Sequence, residues 1–146
     1  LPVRPPDPAA AGLAFPPPEQ TPPPAAEFLR PPSRGRRVVT DVTGDTTEVE
    51  AWKDWGAVRY AAHGLVMDHV NRDLYRILGD DPLTAAQTTA HSVRLSRGDW
   101  SVATETETHL TATADGFRIR ARIVACEGER EVFRRDWDET IPRDGI

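Results

Sequence analysis

The chain has 146 residues, with 18 Lys and Arg against 23 Asp and Glu and a formal net charge of −5. That length suits one domain, and the acidic balance argues against a nucleic-acid surface, which is normally basic. No stretch reaches the ~18 apolar residues of a membrane span, and the one cysteine, Cys126, cannot form an internal disulfide and leaves the redox compartment open.

In chain order, the first feature is a proline-rich arm, residues 1–35, followed by a β domain, residues 36–146. Twelve of the 14 prolines lie in the first 32 residues. Proline fixes φ, removes an amide donor and pushes the preceding residue toward extended geometry. Residues 16–18 and 22–24 therefore exclude helix and central strand, and polyproline II is the expected conformation. Leu13, Phe15, Phe28 and Leu29 interrupt the prolines, and a free linker has little use for Phe. They are expected to pin the arm against a folded surface. The opening Leu1-Pro2-Val3-Arg4-Pro5-Pro6 has neither an initiator Met nor a signal-peptide pattern. It reads as a processed product or a piece of a longer chain, with the cytoplasm as the default compartment.

Strand patterns follow. Residues 38–42 lead into the turn Thr43-Gly44-Asp45, and residues 46–52 return as the second arm of a hairpin. Trp52-Lys53-Asp54-Trp55-Gly56 reads as a turn, with residues 58–61 and 65–68 as short strands beyond it. Residues 70–78 read as a strand, although Val70, Leu74 and Ile77 also fit a helical face. After Gly79-Asp80-Asp81-Pro82 come strands over 84–95, 100–112, 117–125 and 132–141.

Side-chain parity tests the turns, because pairing must bring apolar faces together. Gly98-Asp99 as a two-residue turn sets Val102 opposite Leu95, Thr104 opposite Val93 and Thr106 opposite His91. Asp115-Gly116 as a two-residue turn sets Ala112 opposite Ile119, Leu110 opposite Ala121 and His109 opposite Arg122. A three-residue loop Glu127-Gly128-Glu129 sets Phe133 opposite Ile123 and Trp137 opposite Ile119. One face then collects Val93, Leu95, Trp100, Val102, Leu110, Phe117, Ile119, Ile123, Phe133 and Trp137. The expected fold is all-β: an antiparallel meander forming a strongly curved sheet or small barrel, preceded by the extended arm.

Chemistry is sparse. His63, His69, His91 and His109 are scattered in sequence, so no metal site and no cofactor are expected. There is no Gly-x-Ser-x-Gly elbow, Cys126 sits among acidic residues that disfavour a thiolate, and Glu105 and Glu107 read as a solvated ladder facing arginines. No catalytic residue is assigned. Arg97-Gly98-Asp99 is explained by its turn. A small polar ligand would find His91, Trp100, Thr104, Thr106 and Trp137 on the inner face, against the plainer reading of a polar barrel end.

Asp80-Asp81-Pro82-Leu83-Thr84-Ala85, the segment 96–102, the segment 125–133, Trp137-Asp138 and Ile141-Pro142-Arg143-Asp144 resemble the C-terminal region of cocaine-esterase-like hydrolases. These are the CocE/NonD type, related to X-prolyl dipeptidyl peptidases. The resemblance spans most of residues 36–144. It implies an ester- or amide-cleaving parent with a Ser-His-Asp triad, none of which lies in this chain. The implied role is an accessory C-terminal β domain, partnered by its parent's hydrolase domains or by a homodimer mate. Two other readings stand beside it: a stand-alone barrel binding a hydrophobic metabolite, such as a cyclase, and an interaction module working through its proline arm.

Overall fold

The structure is a computed structural model that describes residues 16–144. Leu13 and Phe15, with the rest of the arm's first 15 residues, lie outside the described residues. Eight strands follow: β1 (Ala26–Arg30), β2 (Ser33–Asp41), β3 (Thr46–Tyr60), β4 (Val66–Leu78), β5 (Asp81–Arg97), β6 (Trp100–Ala112), β7 (Gly116–Glu127) and β8 (Arg130–Pro142). All belong to one antiparallel sheet in the order β1-β3-β4-β5-β6-β7-β8, with β2 also on β3. The described residues contain no helix, and hence none long and apolar enough to cross a membrane. Residues 70–78, which also fit a helical face, extend as part of β4 and pair on both sides, with β3 and β5.

Strand structure starts at Ala26, inside the stretch read as the arm. β1 and β2 lie end to end along one edge of β3, with Phe28 opposite Val58 and Val38 opposite Val49. Pro31 and Pro32, which separate them, cannot contribute N–H donors to a ladder. Opposite that gap β3 bulges between Asp54 and Ala57. The bulge is what the sequence presents as a turn at residues 52–56, and β3 runs through it as one strand. Gly56 makes the bulge possible. It sits at φ +80°, and a Cβ there would lie 2.3 Å from the Arg30 carbonyl oxygen and 3.0 Å from the Pro32 nitrogen.

The meander from β5 to β8 has the expected strand order, with two corrections of register. The Gly98-Asp99 hairpin pairs as expected, Val102 with Leu95 and Thr106 with His91. Between β6 and β7 the connection is longer than two residues. Ala112 meets Phe117, Leu110 meets Ile119 and His109 meets Arg120. Thr113 supplies the reason: its amide and its hydroxyl both donate to the Gly116 carbonyl, and this closes a wider turn. Between β7 and β8, Glu127 pairs with Arg130, and an irregularity at Ala125/Cys126 brings Phe133 opposite Ala125 and Trp137 opposite Ala121. Each shift past the turn moves the pairing by two residues, so the face of every side chain is preserved.

The sheet is not closed, so a barrel is excluded. Among the described residues β8 pairs only with β7, and β1 and β2 pair only with β3. Both free edges resist further pairing. One is interrupted by Pro31-Pro32. The other presents the charged run Arg134-Arg135-Asp136 and Asp138-Glu139 and ends at Pro142, devices that block edge-to-edge association. Among the described residues no hydrophobic side chain is buried. The sheet is a single layer, and a stable domain normally packs two around a core.

Candidate functional site

Register divides the side chains between two faces. The apolar face carries Phe28, Val58, Met67, Leu95, Val102 and Phe133 toward one end. Val38, Val49, Ile77, Leu110, Phe117 and Ile141 lie toward the other. At the second end a recess of about 320 Å³ is lined by Val49, Tyr75, Ile77, Ala86, Leu110 and Phe117, among others. The opposite face is charged, with Arg72, Glu105, Glu107, Arg120, Arg122, Asp136 and Asp138 along a trough of about 820 Å³ that spans β4 to β8.

A polar belt crosses the middle of the apolar face, and it begins at the β3 bulge. The bulge turns Trp55 onto this face, where its indole stacks on His69 at 3.8 Å between ring centroids and 12° between planes. The Lys53 ammonium lies 4.6 Å from the same indole, a cation–π contact. His69 and His91 are 22 residues apart in sequence, but the β4–β5 hairpin sets Val93 opposite His69 and His91 opposite Asn71. The two imidazoles are thus diagonal neighbours on one face, with Nε2 atoms 2.5 Å apart and rings nearly perpendicular. Asn71 and Thr89 both donate to Asp73, at 2.7 and 2.8 Å. The Thr106 hydroxyl donates to the His91 carbonyl at 3.4 Å.

The His69 pKa lies below the ordinary imidazole value. Burial is the main cause, followed by the His91 and Lys53 charges, and Asp68 opposes them. On the other side of the sheet the Arg30 guanidinium bridges Asp54 and Asp68, the latter at 2.6 Å. Burial pushes Asp54 up. The Arg30 hydrogen bond, the Gly56 amide at 2.7 Å and the positive charges of Arg30 and Arg72 together push it further down, so its pKa is lowered. In the trough, Arg118 grips Asp138 through two bonds of 2.7 and 2.6 Å, and Arg122 holds Asp136 at 2.6 Å. The hydrogen bond from Arg118 holds the Asp138 carboxyl below its usual range. These pairs are exposed and contribute little to stability.

His91, Trp100, Thr104, Thr106 and Trp137 all share the apolar face by register. His91 and Thr106 are directly opposite each other, and Thr104 is two residues further along β6. Trp137 lies on β8, two strands from Thr106, and Trp100 sits exposed beside the Gly98-Asp99 turn. His91, Thr106 and Trp137 are nonetheless among the residues that line the trough, whereas Trp100 and Thr104 are not. Among the described residues no three metal-ligating side chains cluster. No serine or cysteine has a hydrogen-bonded imidazole beside it among the described contacts. The close pair His69 and His91 escapes sequence reading because spacing alone does not show it. The β4–β5 register would have shown it, had residues 65–78 been read as one strand.

No family model, curated protein or solved structure matches this chain. The site must therefore be read from its own geometry. It offers an uncovered apolar surface crossed by a polar belt, backed by a charged trough, with no nucleophile in place.

Proposed function

We propose that the chain is a non-catalytic C-terminal β domain of a CocE/NonD-type ester or amide hydrolase. It packs on the hydrolase through its apolar face and shapes substrate access. One observation carries the reading: none of the described hydrophobic side chains is buried. Burying a large apolar side chain stabilises by ~1.5–3 kcal/mol. The twelve apolar residues at the two ends of the face therefore represent stabilisation that only a second layer can supply. Two stacked layers sit ~10 Å apart, and the partner's surface would provide that second layer. The partner proposed is the one the family resemblance implies, the hydrolase domains of the parent chain. That the sheet is not closed favours this reading over a stand-alone barrel that encloses a metabolite.

The test is the size of the native polypeptide, by immunoblot against residues 36–146 in the source cell. A band several times larger than 16.1 kDa supports the reading. A band at that size, or turnover of nitrophenyl esters by the purified chain, overturns it.

A further inference from the structure

We propose that the apolar face docks on a protein surface that carries an acidic patch, placed to meet Arg34, Arg36 and Lys53. Under the proposed function that surface belongs to the parent's hydrolase domains, and the inference rests on that reading for the partner's identity. Register puts all three cations on the apolar face. Arg34 lies directly opposite Lys53, and Arg36, two residues further along β2, lies opposite Ala51. All three side chains are exposed. Like charges directly opposite each other destabilise a sheet, and the neighbouring strands do not offset this pair. Beyond Lys53 the same row continues through Asn71, His91 and Thr106, with no carboxylate. Asp73, opposite Ala51, already accepts hydrogen bonds from Asn71 and Thr89. Among the described residues none of the three cations forms a salt bridge, and Lys53 rests over the Trp55 ring.

The opposite face at the same end of the sheet order is built differently. There Arg37 pairs with Glu50 at 2.7 Å, Arg76 with Glu48 at 3.8 Å, and Arg30 with both Asp54 and Asp68. In a chain of net charge −5, three unmatched cations thus gather along one edge of the face that lacks a second layer. Carboxylates on a covering surface would turn the opposition of Arg34 and Lys53 into charge complementarity, which fixes the register of docking more than its affinity. The face is large enough for a stable interface. Seven strand positions at ~4.8 Å, and the 13 residues of β4 at ~3.3 Å each, give about 1,200 Å². A standard interface needs ~800 Å² per partner.

The test is zero-length cross-linking with a carbodiimide, which joins a lysine amine to a carboxylate only where the two are in contact. Lys53 is the only lysine in the chain, so its linked peptide reports this patch alone. The native polypeptide, purified from the source cell, is treated and the partner of Lys53 is mapped by mass spectrometry. Lys53 should join an Asp or Glu that lies outside residues 1–146, and ~1 M salt should lower the yield several-fold by screening the patch. A link into the hydrolase part of the same polypeptide supports both the acidic patch and the proposed function. A link to a separate protein supports the acidic patch and removes the proposed function. No link, or links only within residues 1–146, overturns the inference even where the native polypeptide is large. A second measurement uses the isolated chain. There Arg34→Gln should leave the urea unfolding midpoint unchanged or raise it, because it relieves the opposition to Lys53. A lower midpoint would mean that Arg34 is already matched within the chain, which also overturns the inference.

Discussion

Gly56→Ala tests whether the chain between β1 and β2 crosses the β3 bulge as described. Two costs are separable. An L-residue at φ +80° carries a conformational penalty of ~1–2 kcal/mol. The new Cβ would also stand 2.3 Å from the Arg30 carbonyl oxygen, 3.0 Å from the Pro32 nitrogen and 3.1 Å from the Pro31 carbonyl carbon. All three are backbone atoms of one segment, so no side chain can swing aside. Overpacking of that kind adds ~1–3 kcal/mol. Gly64→Ala is the control, because Gly64 has φ +69° and nothing within 4 Å of its Cβ position. It should show the conformational cost alone. The assay is urea unfolding followed by Trp fluorescence, in an osmolyte that strengthens burial so that the weakened variant still has a measurable transition. Gly56→Ala should lose about 2–5 kcal/mol in total, against ~1–2 for Gly64→Ala. Hydrogen exchange should show the Phe28 and Arg30 amides released in the first variant only. Equal losses in the two variants would mean that Arg30–Pro32 does not lie over the bulge, and the pairing of β1 with β3 would fall with it.

Three further outcomes follow from the same geometry. The lowered Asp54 pKa means that its pairing with Arg30 contributes fully above the ordinary carboxylate value of ~3.9 and is lost as pH falls through the lower folded value. The stability difference between the chain and Arg30→Gln should thus be flat above pH ~4 and shrink below it, measured by urea unfolding across pH. A dye that fluoresces on apolar surfaces should bind the isolated chain at the recess beside Phe117. Leu110→Asp should cut that signal, and Arg122→Ala should leave it unchanged. Arg118→Ala should shift the unfolding midpoint by no more than experimental error, although it removes two short hydrogen bonds to Asp138, because both partners are exposed.

The sequence made the faces legible before the registers. Alternation assigned Leu110, Phe117, Ile119 and Trp137 to one side, and all four lie there. The turn lengths were less legible, because two turns that differ by two residues preserve every face. Parity cannot separate Leu110 opposite Ala121 from Leu110 opposite Ile119, and the hydrogen bonds of Thr113 to Gly116 decide it. The bulge in β3 was read as a turn for a related reason. Gly56 and the two tryptophans give the composition of a turn. What keeps the strand running is the paired β4 on one side and the end-to-end β1 and β2 on the other, and both are tertiary facts.

Closure was the feature furthest from the residues. A barrel and an open curled sheet need the same alternation along every strand, and they differ only in whether the first and last strands meet. The signs against closure were present at the edges. Pro31-Pro32 interrupts one, and β8 carries arginines and carboxylates on both faces, with Trp137 its only residue that is not exposed. A strand destined to be paired on both sides would have little reason for Arg134, Arg135, Asp136 and Asp138 in sequence order around one tryptophan. The same edges bear on what covers the molecule. If neither edge accepts another strand, the stabilisation the sheet lacks has to come through a face. One face is charged, with Arg118, Arg122 and His109 already paired to carboxylates. The other face carries Val38, Val49, Phe117 and Phe133 half-covered or exposed, so the second layer belongs there, over the belt that holds His69 and His91.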